Sequence, residues 1–168
     1  FNSPNDLCFD RRGNLYFTDP PYGLEKGPTD PKRELAFCGV YLRRPNGTVE
    51  LIIRDIAAPN GIALSPDERT LYVAQSDGKA PVIMAFPLNA DGTAEAGRIF
   101  FDAAPLIGTG PGVPDGLKVD IHGNLWATGP GGVLILNPAE LLGEQTTRRI
   151  AAPAAKPSRS SVAESASK

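Results

Sequence analysis

No run of apolar residues in this 168-residue chain approaches the roughly 18 that a membrane-spanning helix needs. Lys and Arg total 17 against 19 Asp and Glu, a formal charge of −2, and no basic cluster stands out. That balance argues against nucleic acid or an anionic membrane as a partner. Histidine is nearly missing: His122 is the only one, and it sits in the turn Asp120-Ile121-His122-Gly123-Asn124, where a solvated role suits it better than general-base work. Cysteine is scarce too. Cys8 and Cys38 form no Cys-x-x-Cys pair and have no His beside them, so neither a zinc site nor a disulfide framework is expected, and both read as ordinary buried thiols. No Gly-x-Ser-x-Gly elbow supports a serine hydrolase. No segment sustains an apolar period of 3.6, so helix should be minor.

What the chain does contain is a repeat. Pro4-Asn5-Asp6 returns as Pro59-Asn60-Gly61 and as Pro114-Asp115-Gly116, each proline 55 residues after the last. After each copy comes a short apolar run, a polar turn, and a second run: 15–18, 71–74 and 125–128. Third runs follow at 40–42, 82–86 and 133–136, and fourth runs at 49–53, 98–101 and, more weakly, 141–149. These segments are rich in β-branched and aromatic residues and bounded by Gly, Asp, Asn and Pro, the mark of strands joined by hairpins. Four antiparallel strands repeating about every 50 residues predict an all-β fold, a β-propeller with blades at 1–56, 57–111 and 112–149. Propellers close with roughly 4 to 8 blades, so the chain reads as part of a longer protein. From about 150 to 168 the composition turns to Ala, Ser and Pro with no aromatic residue; such a stretch buries too little apolar surface to offset its ordering entropy, and a disordered tail is expected.

The first strand of each propeller blade lines the central channel, so Asn5, Asn60 and Asp115 occupy equivalent places at its mouth. Converging oxygen-bearing side chains suit a hard divalent cation, although three residues supply too few oxygens alone. Pro-Asx-Gly is equally plain turn chemistry, with the side chain bonded to its own backbone. The repeat leaves both readings open. The loop Thr18-Asp19-Pro20-Pro21-Tyr22-Gly23 leaves the second strand at the same end, where Asp19 and Tyr22 would offer a carboxylate and a phenol to a ligand; Tyr22 packed on its blade is the alternative.

Taken together, Phe1-Asn2-Ser3-Pro4-Asn5-Asp6, Tyr16-Phe17-Thr18-Asp19-Pro20-Pro21-Tyr22-Gly23-Leu24, Pro59-Asn60-Gly61-Ile62-Ala63-Leu64-Ser65-Pro66-Asp67 and Pro114-Asp115-Gly116 resemble the gluconolactonase/regucalcin/luciferin-regenerating-enzyme family, its bacterial gluconolactonase branch above all. The resemblance runs from Phe1 to about Leu142. It implies a six-bladed propeller holding one catalytic divalent cation, Ca²⁺ as first choice with Zn²⁺, Mn²⁺ or Mg²⁺ as alternatives, and hydrolysing a sugar lactone. Asn60 and Asp115 match the family's metal ligands, Asn5 its substrate-contacting Asn with Asp6 next to it; the Glu that completes the metal set has no counterpart after Phe1. Ser3 stands where some members carry Arg, and Cys38 where a polar residue such as Asn is expected. Asp115, the only ionised residue among the three axial positions, is the implied base for the attacking water. The rival expectation is a non-catalytic propeller that serves as a scaffold or ligand-binding module.

Overall fold

The computed structural model describes residues 1–137 and 147–151. Within these residues, twelve strands form three separate four-stranded antiparallel sheets, each ordered as in the chain. The first holds β1 (Leu7–Phe9), β2 (Leu15–Asp19), β3 (Gly39–Arg43) and β4 (Val49–Ile53); the second β5 (Pro59–Leu64), β6 (Thr70–Gln75), β7 (Val82–Pro87) and β8 (Arg98–Asp102). The third holds β9 (Leu117–Val119), β10 (Leu125–Gly129), β11 (Gly132–Leu136) and β12 (Thr147–Ala151). The only helical turns among the described residues are two 3-10 stretches, Gly27–Thr29 and Ala104–Leu106. The expected fourth strand at 141–149 is found at Thr147–Ala151; of the expected span, 141–146 lies outside the described residues. Ile150 and Ala151 therefore belong to β12 rather than to a tail, and 152–168 also lie outside the described residues.

The strands end where turn chemistry forces them to. After β1 and β9, Asp10 and Asp120 each accept bonds at Oδ1 from the amides two and four residues on, Arg12 and Asn14 at 2.9 and 2.8 Å, His122 and Asn124 at 2.9 Å both. Gly13 (φ 82°) and Gly123 (φ 85°) take the left-handed position of these turns. The second sheet puts Glu68 there, at φ 58°. A non-glycine residue in that region costs on the order of 1–2 kcal/mol, and Glu68 offsets it by accepting the Arg11 amide of the first sheet at 2.9 Å.

Alternation along the middle sheet builds two cores. Leu71 and Val73 face the first sheet, among Tyr16, Val40, Leu42 and Ile62, while Tyr72 and Ala74, one residue out of phase, join Leu117, Leu125, Ala127 and Leu134 of the third. With both faces covered, β6 reads as a continuous apolar run rather than an alternating one. Fully burying one Leu or Val contributes about 1.5–3 kcal/mol, and Leu71, Val73, Leu125 and Leu134 are each wholly buried.

Polar stitches register the sheets. At the turn end, the Tyr16 hydroxyl donates to the Gly92 carbonyl at 3.1 Å, Arg12 Nη1 donates to Ala90 O at 2.6 Å, and Arg44 Nη1 donates to Asp91 O. At the other end the inner strands come into backbone contact. The β5–β6 ladder shifts register between Pro59 and Ile62, and the amides of Gly61 and Ile62 turn outward. Gly61 N donates to Asp115 O at 3.0 Å and Ile62 N to Asp6 Oδ2 at 3.1 Å. A Cβ on Gly61 would lie 2.0 Å from Asp115 O and 2.7 Å from Leu117 N, so only glycine permits this approach.

Two measurements check this account. Gly61→Ala should lower unfolding stability by about 1–3 kcal/mol, the usual range for overpacking, whereas Gly78→Ala, with open space around its Cβ, should change little in the same urea titration. The Asp120 carboxyl is lowered from 3.8 to about 2, chiefly by bonds from the Asn124 side chain and Trp126, then from the Asn124 and His122 amides. Its folded-state pKa is depressed, so its contribution is present above its unfolded value and fades as pH falls toward 2. Denaturation midpoints of Asp120→Asn should fall below wild type at neutral pH and lose this part of the acid sensitivity.

Candidate active site

Asn5, Asn60 and Asp115 stand at the entry of β1, β5 and β9, as the repeat predicts. Asn5 N donates to Thr18 O at 2.9 Å and Asp115 N to Thr128 O at 3.1 Å, so the first and third copies are anchored alike. Asn60 is tied to both neighbours: its carbonyl accepts the Thr18 hydroxyl at 2.8 Å, and its Nδ2 donates to Ser76 Oγ at 2.9 Å. Ser76 Oγ in turn donates to Pro114 O at 2.5 Å. One hydrogen-bonded path thus runs from Asn5 through Thr18, Asn60 and Ser76 to the residue before Asp115.

Side-chain partners separate these three from most other Asn and Asp residues; among the described residues Asp55, in the loop after β4, is likewise unengaged. Asp10, Asp30, Asn46, Asp67, Asp77, Asp91, Asp102 and Asp120 each accept the amide two residues on. Among the described residues, no hydrogen bond or ion pair engages the side chains of Asn5 or Asp115, and both are exposed. Neither caps its own turn. Asn60 is oriented instead: its Nδ2 is held by Ser76, which leaves Oδ1 as the unengaged end of the amide. An amide oxygen and a carboxylate are the donor type a hard divalent cation takes. Among the described residues no three His, Cys, Asp or Glu side chains converge on one point, so Asn60 and Asp115 fit part of such a shell and not the whole of it.

The remaining sequence candidates divide by burial. Asp6 Oδ1 accepts the Leu7 amide at 2.8 Å and Oδ2 the Ile62 amide at 3.1 Å, with Lys118 Nζ 3.9 Å away, so this carboxylate joins the first sheet to the second. Asp19 is wholly buried; its Oδ2 accepts the Asn2 amide and its Oδ1 the Ser3 amide, both at 2.8 Å. With both oxygens engaged on the backbone, Asp19 holds the 1–4 segment on β2, and the substrate contact expected of it finds no open face. Tyr22 donates to Ala58 O at 3.1 Å and stays 43% exposed. Its phenol pKa is raised, first by burial and further by the negative charges of Asp115 and Asp77, with a bond to Ser76 acting the other way. Tyr22 therefore shares the neighbourhood of Asp115.

Neither thiol is poised as a nucleophile: burial pushes Cys8 up to about 12 and raises Cys38 as well. His122 is exposed in the β9–β10 turn, its amide on Asp120. Ser76, which holds the Asn60 amide, is not repeated at the aligned positions Pro20 and Pro130, and Thr18 recurs in the third copy as Thr128 but is replaced by Ala74 in the second. Only the contact across sheets reveals them.

A family model described as SMP-30/Gluconolactonase/LRE-like region matches residues 1–163. A gluconolactonase of Zymomonas mobilis is 41% identical over 151 residues, covering 85% of this chain and 41% of that protein. Among solved structures, a gluconolactonase from Xanthomonas campestris aligns with TM-score 0.74 and 37% identity over 91% of this chain and 48% of that one. Regucalcin from Agrobacterium tumefaciens, described as a calcium-binding protein, aligns with TM-score 0.60 and 25% identity, over 80% and 41%. The chain spans about two fifths to one half of the length of these relatives.

The burial of Asp19 leads to a direct expectation. Asp19→Ala should cost about 3–6 kcal/mol of unfolding stability, since hydrogen bonds to charged groups contribute about 1.5–3 kcal/mol each and two amides lose their acceptor. A chemical denaturation curve with an unchanged midpoint would contradict the structural role.

Proposed function

Because the chain belongs to the SMP-30/gluconolactonase/LRE-like family, we propose that it is part of an enzyme that hydrolyses a sugar lactone of the gluconolactone type to the aldonic acid. In this reading the three sheets are about three blades of a six-bladed propeller, with blades at 1–56, 57–111 and 112–149, and Asn60 and Asp115 hold one divalent cation. Ca²⁺ is the first choice, in keeping with the regucalcin relative, and Zn²⁺, Mn²⁺ or Mg²⁺ are alternatives. The observation that carries the proposal is the unengaged Asp115 carboxylate, which follows the Pro114 carbonyl held by the same Ser76 that orients the Asn60 amide, in a chain whose other Asx side chains are largely taken up by turns.

The reaction adds water across the acyl–oxygen bond: the carbonyl carbon gains hydroxyl, its bond to the ring oxygen breaks, and that oxygen takes a proton. A bound cation supplies Lewis acidity toward the carbonyl. Asp115 accepts the proton of the attacking water at a carboxylate oxygen, as its lack of internal partners allows. Asn60 contributes an oxygen without charge, which keeps the cation electrophilic. Asn5, exposed at the same entry, orients a sugar hydroxyl. Tyr22 closes one side of the mouth, and Asp6 acts by holding β1 to β5 rather than by touching substrate.

Asp115→Asn in the full-length enzyme should lower lactone turnover by at least about 10²-fold even at saturating cation, the scale of one acid–base group. His122→Ala should leave turnover within about twofold. A pH-controlled lactonase assay with added Ca²⁺, Mn²⁺ or Zn²⁺ measures both. Cation binding without turnover in wild type would favour the non-catalytic binding module instead.

A further inference from the structure

A cavity of about 350 Å³ opens beside the Asn60 and Asp115 entry, bounded by Pro21, Tyr22, Pro28, Arg33, Cys38 and Ala58. It is joined to the mouth by Ala58, whose carbonyl accepts both the Tyr22 hydroxyl at 3.1 Å and the Ser76 amide at 2.9 Å; Ser76 is the residue that orients Asn60. Arg33 is the one charged residue among the walls, which are otherwise largely apolar. That charge is poorly matched by the protein. Nη1 donates to Pro28 O at 3.1 Å and Nη2 to Cys38 Sγ at 3.8 Å, a weak acceptor, while Nε is buried with no partner. No carboxylate pairs with Arg33 among the described residues; Arg43, Arg54, Arg69 and Arg98 lack one too, but they are exposed to solvent, whereas Arg33 has a buried unpartnered nitrogen.

A buried donor without an acceptor carries a desolvation penalty, and a guanidinium presents its donors as a planar fork that matches a carboxylate or a phosphate. The volume lies in the range of small-ligand sites. The ring of Tyr22 and the prolines provide a flat apolar wall next to the acceptor-seeking head. We propose that this cavity is an anion subsite of the lactone site, in which Arg33 receives a carboxylate or phosphate carried by the substrate, so that the preferred substrate is an acidic sugar lactone. The proposal rests on the lactone-hydrolysis reading and adds to it the chemical class of the substrate.

The test compares three lactones with the cation-loaded full-length enzyme: glucono-lactone, a glucaro-lactone bearing a free carboxylate, and a 6-phospho-glucono-lactone. Wild type should show a KM about tenfold lower for one acidic lactone than for the neutral one, and which of the two it is distinguishes carboxylate from phosphate. Arg33→Gln should raise that KM about tenfold, the scale of one charge-assisted contact, with kcat unchanged and the neutral lactone within twofold; Arg33→Lys should recover part of it. Equal KM values for all three lactones in wild type, or a uniform shift in Arg33→Gln, would overturn the subsite while leaving lactone hydrolysis standing. Hydrolysis of none of the three by folded wild type would overturn the reading beneath it. Should Arg33→Gln fail to fold, inhibition of wild type decides: the product of the preferred acidic lactone, which carries a second anionic group, should inhibit about tenfold more tightly than gluconate, and equal inhibition overturns the proposal.

Discussion

Everything at the candidate site depends on how closely the inner strands approach one another. Backbone meets backbone where Gly61 donates to Asp115 O, and the distance is set by the missing side chain at position 61. The register shift in β5 makes this contact available, because it turns two amides away from β6 and toward the neighbouring sheets. Asp6 and Asp115 O receive them. Move the sheets apart by the width of a methyl group and the path through Thr18, Asn60, Ser76 and Pro114 is broken.

The two ends of the sheets use the same residue types for opposite purposes. At the turn end, Asp and Asn side chains are consumed by the backbone amides two residues on and by neighbouring side-chain donors, and bonds from the Asn14, Ser65, Thr93 and Asn124 side chains are the chief cause that lowers the pKa of Asp10, Asp67, Asp91 and Asp120. At the entry end, the Asn5 and Asp115 side chains make no such bond, and the Asn60 amide is turned by a neighbour from another strand. Local hydrogen bonding is the default for a short polar side chain in a turn. Its absence at repeat-equivalent positions leaves them available to something outside the chain, in keeping with the cation and lactone proposed for this site.

The loop between β2 and β3 contributes in two ways. Asp19 fixes its root by gripping the Asn2 and Ser3 amides, which ties the segment before β1 to the strand after it. Beyond this root, Tyr22 and Arg33 form the wall of a cavity that opens beside the mouth. A root fixed by hydrogen bonds beneath an exposed rim suits the substrate-selecting role proposed for this loop.

The all-β class, the three sheets and the entry positions were legible in the sequence because strand alternation and turn residues act locally and recur every 55 residues. Asn5, Asn60 and Asp115 could be located from the repeat alone, yet whether their side chains cap turns could not, since the same Pro-Asx-Gly pattern serves both ends. Asp19 shows the converse: a carboxylate placed on a loop by its neighbours in sequence proves to be spent on amides 16 and 17 residues earlier in the chain. Local propensity thus determined which segments pair within a sheet and where each sheet begins. Only tertiary structure decided which polar groups remain unengaged, which amide end of Asn60 is open, and where Arg33 lacks a counter-ion, because each of these depends on atoms from distant parts of the chain brought into contact.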